Sequence, residues 1–172
     1  MKKLMFFAIG LAAIAAQADL LYWQVATASS GSGYVTADSP AIEYSYAKLM
    51  ASADPDVALP SYVEGSSTAR ATVNAQNFYN EAAAAAEVGS YTTSTFWIEL
   101  YNASNELVGR SAAVSYGDLD AYRAAAEFSS TWKAPAGGGW GGGSYTAVPE
   151  PTSGLLMLIG AAMLGLRRRK IA

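Results

Sequence analysis

The chain has 172 residues, and its 11 basic and 14 acidic residues give a formal net charge of −3. Residues 19–147 alone carry thirteen acidic and five basic side chains, a formal net charge of −8. An acidic surface repels phosphate backbones, so nucleic acid is not expected as a partner. The chain contains no Cys and no His, which excludes disulfides, thiolate or imidazole catalysis and Cys/His zinc sites. No cofactor is expected.

Residues 1–18 have the pattern of a secretory signal peptide. Lys2 and Lys3 precede an apolar run over residues 5–16, which ends in the sequence Ala16-Gln17-Ala18. A signal peptidase that cleaves after Ala18 would leave Asp19 as the first residue of the mature chain. The alternative is an uncleaved membrane anchor, but a helix needs about 20 apolar residues to span a bilayer and this run is shorter.

Between residues 19 and 134 the dominant pattern is alternation with a period of two, which predicts β-strands. The firmest prediction is a β-hairpin, in which residues 95–101 and 106–116 flank the turn-forming sequence Asn102-Ala103-Ser104-Asn105. Further strands are predicted over residues 20–26, 42–47 and 69–75. We therefore expect a mainly β domain at 19–134, a single antiparallel β-sandwich of jelly-roll-like arrangement.

Two short helices are predicted within this domain. Residues 80–88 contain five consecutive alanines between Glu81 and Glu87, and Gly89 follows as a stop signal. Asp118 is predicted to cap a second helix that carries Leu119, Tyr122 and Ala126 on one face.

Acidic side chains are the main candidates for chemistry in a domain without His and Cys. Glu43 and Glu99 lie on predicted strands and would suit a glycosidase if they faced each other across a cleft, but solvated or ion-paired strand glutamates are the favoured interpretation. Asp54 with Asp56, and Asp118 with Asp120, offer oxygen ligands for calcium without the spacing of a calcium loop. Turn and cap roles are favoured for these pairs. No catalytic or metal-binding residue is assigned.

Eleven tyrosines and four tryptophans suggest a different function, the binding of sugar rings by aromatic side chains on a sheet. The candidate sugar contacts are Tyr44, Tyr46, Trp97 and Tyr101. Aromatic residues also favour strands and pack in cores, which is the alternative explanation. Exposure of these side chains would favour sugar binding, and burial would favour a structural role.

Residues 135–147 are rich in glycine and are predicted to be a flexible linker. Trp140, within this segment, is expected to pack on the edge of the domain or at the membrane interface. No Lys-Ser or Lys-Thr follows the glycines, so they do not form a phosphate-binding loop.

Residues 148–172 combine three features in a fixed order. Pro149-Glu150-Pro151 comes first, an apolar run over residues 154–166 predicts a short transmembrane helix, and four basic residues follow: Arg167, Arg168, Arg169 and Lys170. The basic cluster would stay on the cytoplasmic side, so that the helix would hold the exported domain at the membrane.

This tail resembles the PEP-CTERM sorting signal of Gram-negative bacteria. The resemblance implies processing by an exosortase, a membrane-embedded enzyme, in a bacterium that makes extracellular polysaccharide. It also implies transient anchoring in the inner membrane and a final location at the cell surface or outside the cell. The sequence therefore predicts a non-catalytic surface or matrix-associated protein. A carbohydrate-binding module is the first alternative, and a carboxylate-dependent glycosidase is the second.

Overall fold

A computed structural model describes residues 18–25, 28–29, 32–35, 42–78, 83–126, 132–135 and 138–148, together with Leu158, Ile159 and Met163. The predicted signal peptide before Ala18, including Ala16, lies outside the described residues. So do Pro149, Glu150 and Pro151 of the predicted sorting motif and the basic cluster Arg167, Arg168, Arg169 and Lys170.

The described residues form short β-strands and two 3-10 helices. The strands are β1 (Ala18–Trp23), β2 (Ala28–Ser29), β3 (Ser32–Val35), β4 (Ile42–Tyr44), β5 (Tyr46–Ala51), β6 (Ser61–Val63), β7 (Ala69–Arg70), β8 (Val73–Asn74), β9 (Ala84–Glu87), β10 (Thr95–Tyr101), β11 (Leu107–Ser111), β12 (Val114–Ser115), β13 (Arg123–Ala126) and β14 (Tyr145–Ala147). The 3-10 helices are Ala75–Phe78 and Gly117–Tyr122. The prediction of a mainly β chain is confirmed.

Two antiparallel sheets make up most of the domain. The first sheet has the strand order β13-β1-β9-β6-β7, and the second has the order β14-β11-β10-β5-β8, with β12 also paired to β10. A small third sheet contains β2, β3 and β4.

The first and second sheets share one hydrophobic core. Trp23 of β1 is fully buried in this core with Leu49 of β5 and Ile98 of β10. The Trp23 indole lies 5.3 Å from the Phe78 ring, edge to face, and its Nε1 donates a hydrogen bond to Ser61 Oγ at 3.2 Å. A core common to two sheets is what a β-sandwich requires; the jelly-roll-like arrangement stays a prediction.

The predicted hairpin is confirmed. β10 pairs antiparallel with β11, and the Asn102 Oδ1 accepts hydrogen bonds from the backbone N–H groups of Ser104 and Glu106, both at 2.9 Å. Asn105 takes a left-handed φ of 64°, which Asn tolerates better than most residues. The strand predicted at 20–26 is present as β1, whereas the single strand predicted at 69–75 is divided into two short strands, β7 in the first sheet and β8 in the second.

The strand predicted over residues 42–47 is interrupted at Ser45. Its backbone N–H donates to Tyr101 O at 2.7 Å and its carbonyl accepts from Ala75 N at 2.8 Å, so the bend is fixed on both sides. In an unbroken strand Tyr44 and Tyr46 would face the same side of the sheet. Because of the bend, Tyr44 is buried in the core, whereas Tyr46 is half-buried on the outside of the second sheet.

The helix predicted over residues 80–88 is wrong, because residues 84–87 form β9 in the middle of the first sheet. β9 pairs with β1 on one side and with β6 on the other. Ala84 and Ala86 face the shared core, and Ala85 faces a second cluster with Leu20, Tyr22 and Trp132. Large neighbours on both faces leave room for little more than a methyl group, so packing overrides the helix propensity of alanine.

The second predicted helix is only partly correct. Gly117–Tyr122 is a 3-10 helix that buries Leu119, but Ala126 belongs to β13 instead. Asp118 is not the N-cap; its backbone N–H and its carboxylate both contact Ser115 Oγ, at 3.4 and 2.6 Å.

The glycine-rich segment predicted to be a linker packs on the domain from Gly138 onward. Trp140 is buried. Its backbone N–H donates to Tyr22 O at 2.8 Å, and its carbonyl accepts from Gln24 N at 3.0 Å. Tyr145–Ala147 then forms β14, the edge strand next to β11. Glycine suits this path because a Cβ at Gly139 would lie 2.6 Å from the Trp23 backbone.

We expect Gly139→Ala to destabilise the protein by about 1–3 kcal/mol, since the added methyl group forces the segment away from β1. The free energy of unfolding, from urea titration followed by tryptophan fluorescence, measures the effect. Gly141→Ala is the matched control, because nothing lies within 4 Å of a Cβ at that position. Equal stability of the two variants would show that the glycine segment does not contribute to the fold.

Candidate functional site

The outward side of the second sheet collects aromatic and charged side chains. Alternation along β10 places Phe96, Ile98 and Leu100 in the core and turns the residues between them outward. The neighbouring strands add side chains in register, because Glu99 pairs with Lys48 of β5 and with Arg110 of β11. We call this surface the β10 face; it comprises Tyr46, Lys48, Trp97, Glu99, Tyr101 and Arg110.

Glu99 lies at the centre of the β10 face and is only 4% exposed. Its Oε1 accepts hydrogen bonds from Trp97 Nε1 at 3.0 Å and from Arg110 Nη2 at 2.5 Å. Its Oε2 accepts a hydrogen bond from the Tyr101 hydroxyl at 2.7 Å. A carboxylate that points outward from a sheet is thus enclosed by its own neighbours, and both aromatic rings are held in fixed orientations by it.

These contacts decide the charge of Glu99. Burial raises the pKa of the carboxyl, but the hydrogen bonds from Trp97, Tyr101 and Arg110 and the positive charge of Arg110 together bring it below its ordinary value of 4.5. Burial and the hydrogen bond to Glu99 raise the pKa of the Tyr101 phenol, which therefore keeps its proton and remains a donor. At neutral pH the centre of the face is an ionised carboxylate that accepts from three donors.

The remaining side chains of the β10 face form a stacked arrangement around Tyr101. The rings of Tyr46 and Tyr101 are parallel within 2°, with their centroids 5.1 Å apart. Lys48 Nζ lies 4.3 Å from the centroid of the Tyr101 ring, a cation–π contact. The Tyr46 hydroxyl donates to Asn105 Oδ1 in the hairpin turn at 3.1 Å. The face therefore consists of half-buried rings in contact with one another and flanked by two cations.

The structure brings together three of the four predicted sugar contacts. Tyr46, Trp97 and Tyr101 lie on the β10 face, each half-buried. Tyr44 is 0% exposed and belongs to the core, because the bend at Ser45 separates it from Tyr46. Tyr44 is therefore not available to a surface ligand.

Sequence reasoning did not identify Lys48 and Arg110 as part of the site. If the alternation along residues 42–47 continued without a break, Tyr46 and Lys48 would face the core like Tyr44, which is the wrong side of the sheet. The register between β10 and β11 shifts at Leu100 and Tyr101, and this bulge brings Arg110 opposite Glu99. A sequence carries little signal for such a shift.

The other acidic candidates lie elsewhere. Glu43 is exposed on β4 and lines a cleft of about 390 Å³ near the hairpin turn, to which Glu99 does not contribute. Asp54 forms turn hydrogen bonds with Ala51 and Val57. Asp120 forms an ion pair with Arg123. Within the ranges that the structure describes, no three acidic side chains come together as a possible metal site.

Glu99→Gln tests the charge at the centre of the face. Because the pKa of Glu99 is lower in the folded protein, its ionisation adds stability that is complete above about pH 4.5 and is lost as the pH falls through the folded-state pKa. We expect the variant to lose about 1.5–3 kcal/mol at neutral pH, as for hydrogen bonds to a charged group. The loss should shrink at a second, acidic pH below the folded-state pKa, where the wild-type carboxyl is protonated.

Urea unfolding of both proteins at the two pH values measures this difference. Glu87→Gln is the control, since Glu87 is also a strand glutamate but is exposed. A loss of equal size at both pH values would contradict an ionised Glu99.

Comparison with known proteins finds a match for one part of the chain, its C-terminal segment. Residues 147–170 match the family model of the PEP-CTERM protein-sorting motif. No curated protein and no solved structure matches the chain. Of the predicted transmembrane helix, only Leu158, Ile159 and Met163 are described, and no helix in the described part of the chain is long and apolar enough to cross a membrane. The chain thus carries a PEP-CTERM sorting motif at residues 147–170, as expected of an exosortase substrate.

Proposed function

We propose that the chain is an exported, non-catalytic surface protein that associates with extracellular polysaccharide through the β10 face. The sorting motif at residues 147–170 supports the location, since it implies export and processing by an exosortase. In this proposal the tail anchors the protein transiently in the inner membrane. The domain is then released to the cell surface or the extracellular matrix.

The observation that carries the proposal is the arrangement of Trp97 and Tyr101 around Glu99. Both rings are half-buried and both donate a hydrogen bond to the same carboxylate, at 3.0 and 2.7 Å. Rings held in place before binding lose little conformational entropy when a ligand arrives. Aromatic faces beside polar groups suit a sugar ring, which presents C–H groups on its faces and hydroxyls at its edge.

A purely structural role explains the β10 face less well than it explains the first sheet. On the outward side of the first sheet, Leu20, Tyr22 and Ala85 are buried with Trp132, and the half-buried Tyr62 packs against them. On the β10 face, Tyr46, Trp97 and Tyr101 stay half-buried, and the Arg110 side chain is 51% exposed. The two sheets therefore differ in the side chains that they offer to a partner.

Glu99 also supports a binding role over a glycosidase. A general acid must hold a proton near neutral pH, which requires a raised pKa. The Glu99 carboxyl instead has a lowered pKa, and its two oxygens are engaged with three donors. Its place in the proposal is to orient the rings.

Removing a ring of the β10 face should weaken binding of the host's extracellular polysaccharide. We expect Tyr46→Ala and Trp97→Ala to weaken binding at least about tenfold, as for buried aromatic anchors in other interfaces. The Tyr46 hydroxyl donates to Asn105 and not to Glu99, so its variant removes none of the three donors to the central carboxylate. Affinity electrophoresis of the exported protein in gels that contain the polysaccharide gives the retardation.

Tyr62→Ala is the matched control, because Tyr62 is a half-buried tyrosine of the first sheet. Circular dichroism checks that each variant is folded. Retention of full binding by both folded β10-face variants, or no retardation of the wild type, would refute the proposed function.

Replacing Pro149, Glu150 and Pro151 by alanine should prevent processing and leave the protein in the membrane fraction. The reason is that the motif would no longer be recognised, whereas the apolar run at 154–166 would remain. Fractionation of producing cells with detection by antibody measures the distribution. Pro135→Ala, outside the matched residues, is the control. Release of the triple variant at the wild-type level would show that these residues do not direct sorting.

A further inference from the structure

The net charge of the β10 face is opposite in sign to the net charge of the rest of the domain. Residues 19–147 carry a formal net charge of −8, and only five of their side chains are basic. Two of these five, Lys48 and Arg110, lie on the β10 face beside a single carboxylate, Glu99. The face is therefore locally positive on an acidic domain.

The carboxylate of Glu99 does not satisfy both cations. Its two oxygens accept from Trp97, Arg110 and Tyr101, and the residue is 4% exposed. Lys48 is the strand neighbour of Glu99 in register. Within the described part of the chain, however, its ammonium contacts the Tyr101 ring, with Nζ 4.3 Å from the ring centroid. The Lys48 charge is thus held in place without a carboxylate partner among the described residues.

Arg110 also keeps donors for a ligand. A guanidinium carries five N–H donors, and the hydrogen bond of Arg110 goes to Glu99 Oε1. Its side chain is 51% exposed, and the guanidinium lies 5.7 Å from the centroid of the Trp97 ring. The strands of Lys48 and Arg110 flank β10, so their backbones lie roughly 10 Å apart at about 4.8 Å per strand spacing.

We propose that the polysaccharide bound by the β10 face is anionic, with its sugar rings against Tyr46 and Trp97 and its acidic groups at Lys48 and Arg110. This inference rests on the proposed function and deepens it. The remainder of residues 19–147 carries twelve acidic and three basic side chains and on balance repels an anionic polymer, so charge favours binding on this face. A neutral polysaccharide could accept hydrogen bonds from the two cations but would gain no ionic attraction from them.

The test uses the exported protein and the host's extracellular polysaccharide in two forms, native and with its carboxyl groups chemically reduced to alcohols. Affinity electrophoresis at low salt and at about 0.5 M salt separates charge from stacking, since salt screens exposed charges. We expect the native polysaccharide to retard the protein, and salt to weaken that retardation. Loss of binding after carboxyl reduction identifies the acidic groups as carboxylates; salt-sensitive binding that survives reduction identifies them as phosphate or sulfate esters.

Lys48→Gln should weaken binding of the native polysaccharide roughly two- to fivefold and reduce its dependence on salt, as for one exposed ionic contact. Arg110→Lys, which keeps the charge, should bind more tightly than Arg110→Gln. Lys133→Gln is the control, because Lys133 is an exposed lysine outside the β10 face.

Three results would overturn the inference. Salt-independent binding that Lys48→Gln leaves unchanged would show a face for neutral sugars, and the proposed function would stand. Equal competition by double-stranded DNA would show attraction by charge alone. No binding of either form of the polysaccharide would overturn the proposed function as well.

Discussion

The alternation of side chains along β10 is the constraint on which both the core and the candidate site depend. Phe96, Ile98 and Leu100 are fully buried between the two sheets. Trp97 and Glu99 point the opposite way from the same backbone, so the packing of the core fixes the position of the site. A shift of the strand by one residue would expose the apolar set and bury the charged one, which makes this register strongly specified.

The sequence predicted the fold where local chemistry decides it and failed where distant packing does. The hairpin around Asn102 was predictable because turn residues and alternation are both local signals. The alanines at 84–86 were predicted as helix because their strand conformation depends on Trp23, Tyr22 and Trp132, which are distant in sequence. The glycines around Trp140 suggested free chain for the same reason, since their partner is the β1 backbone.

The site was predictable only in part, for a related reason. Trp97 and Tyr101 follow from alternation within one strand. The contribution of Lys48 and Arg110 depends on two irregularities, the bend at Ser45 and the bulge next to Leu100, and each of them is fixed by backbone hydrogen bonds between strands. Three rings of the site and the Glu99 carboxylate were thus named from the sequence, but not the two cations beside them.

The two ends of the domain are held in different ways. Asp19, the predicted first residue of the mature chain, accepts hydrogen bonds from Tyr116 and from Arg123, the latter at 2.5 Å, and the hydrogen bond to Asp19 raises the pKa of Tyr116. At the other end, Val148 N donates to Val108 O at 3.0 Å, immediately before Pro149.

Because strand pairing reaches Ala147, where the sorting motif begins, no free spacer separates the sheet from that motif. A processing enzyme that needs unpaired chain before Pro149 must therefore either act at the edge of the second sheet or separate β14 from β11. β14 pairs over only three residues, Tyr145 to Ala147, so its separation would break few backbone hydrogen bonds but would take the buried Tyr145 out of the core.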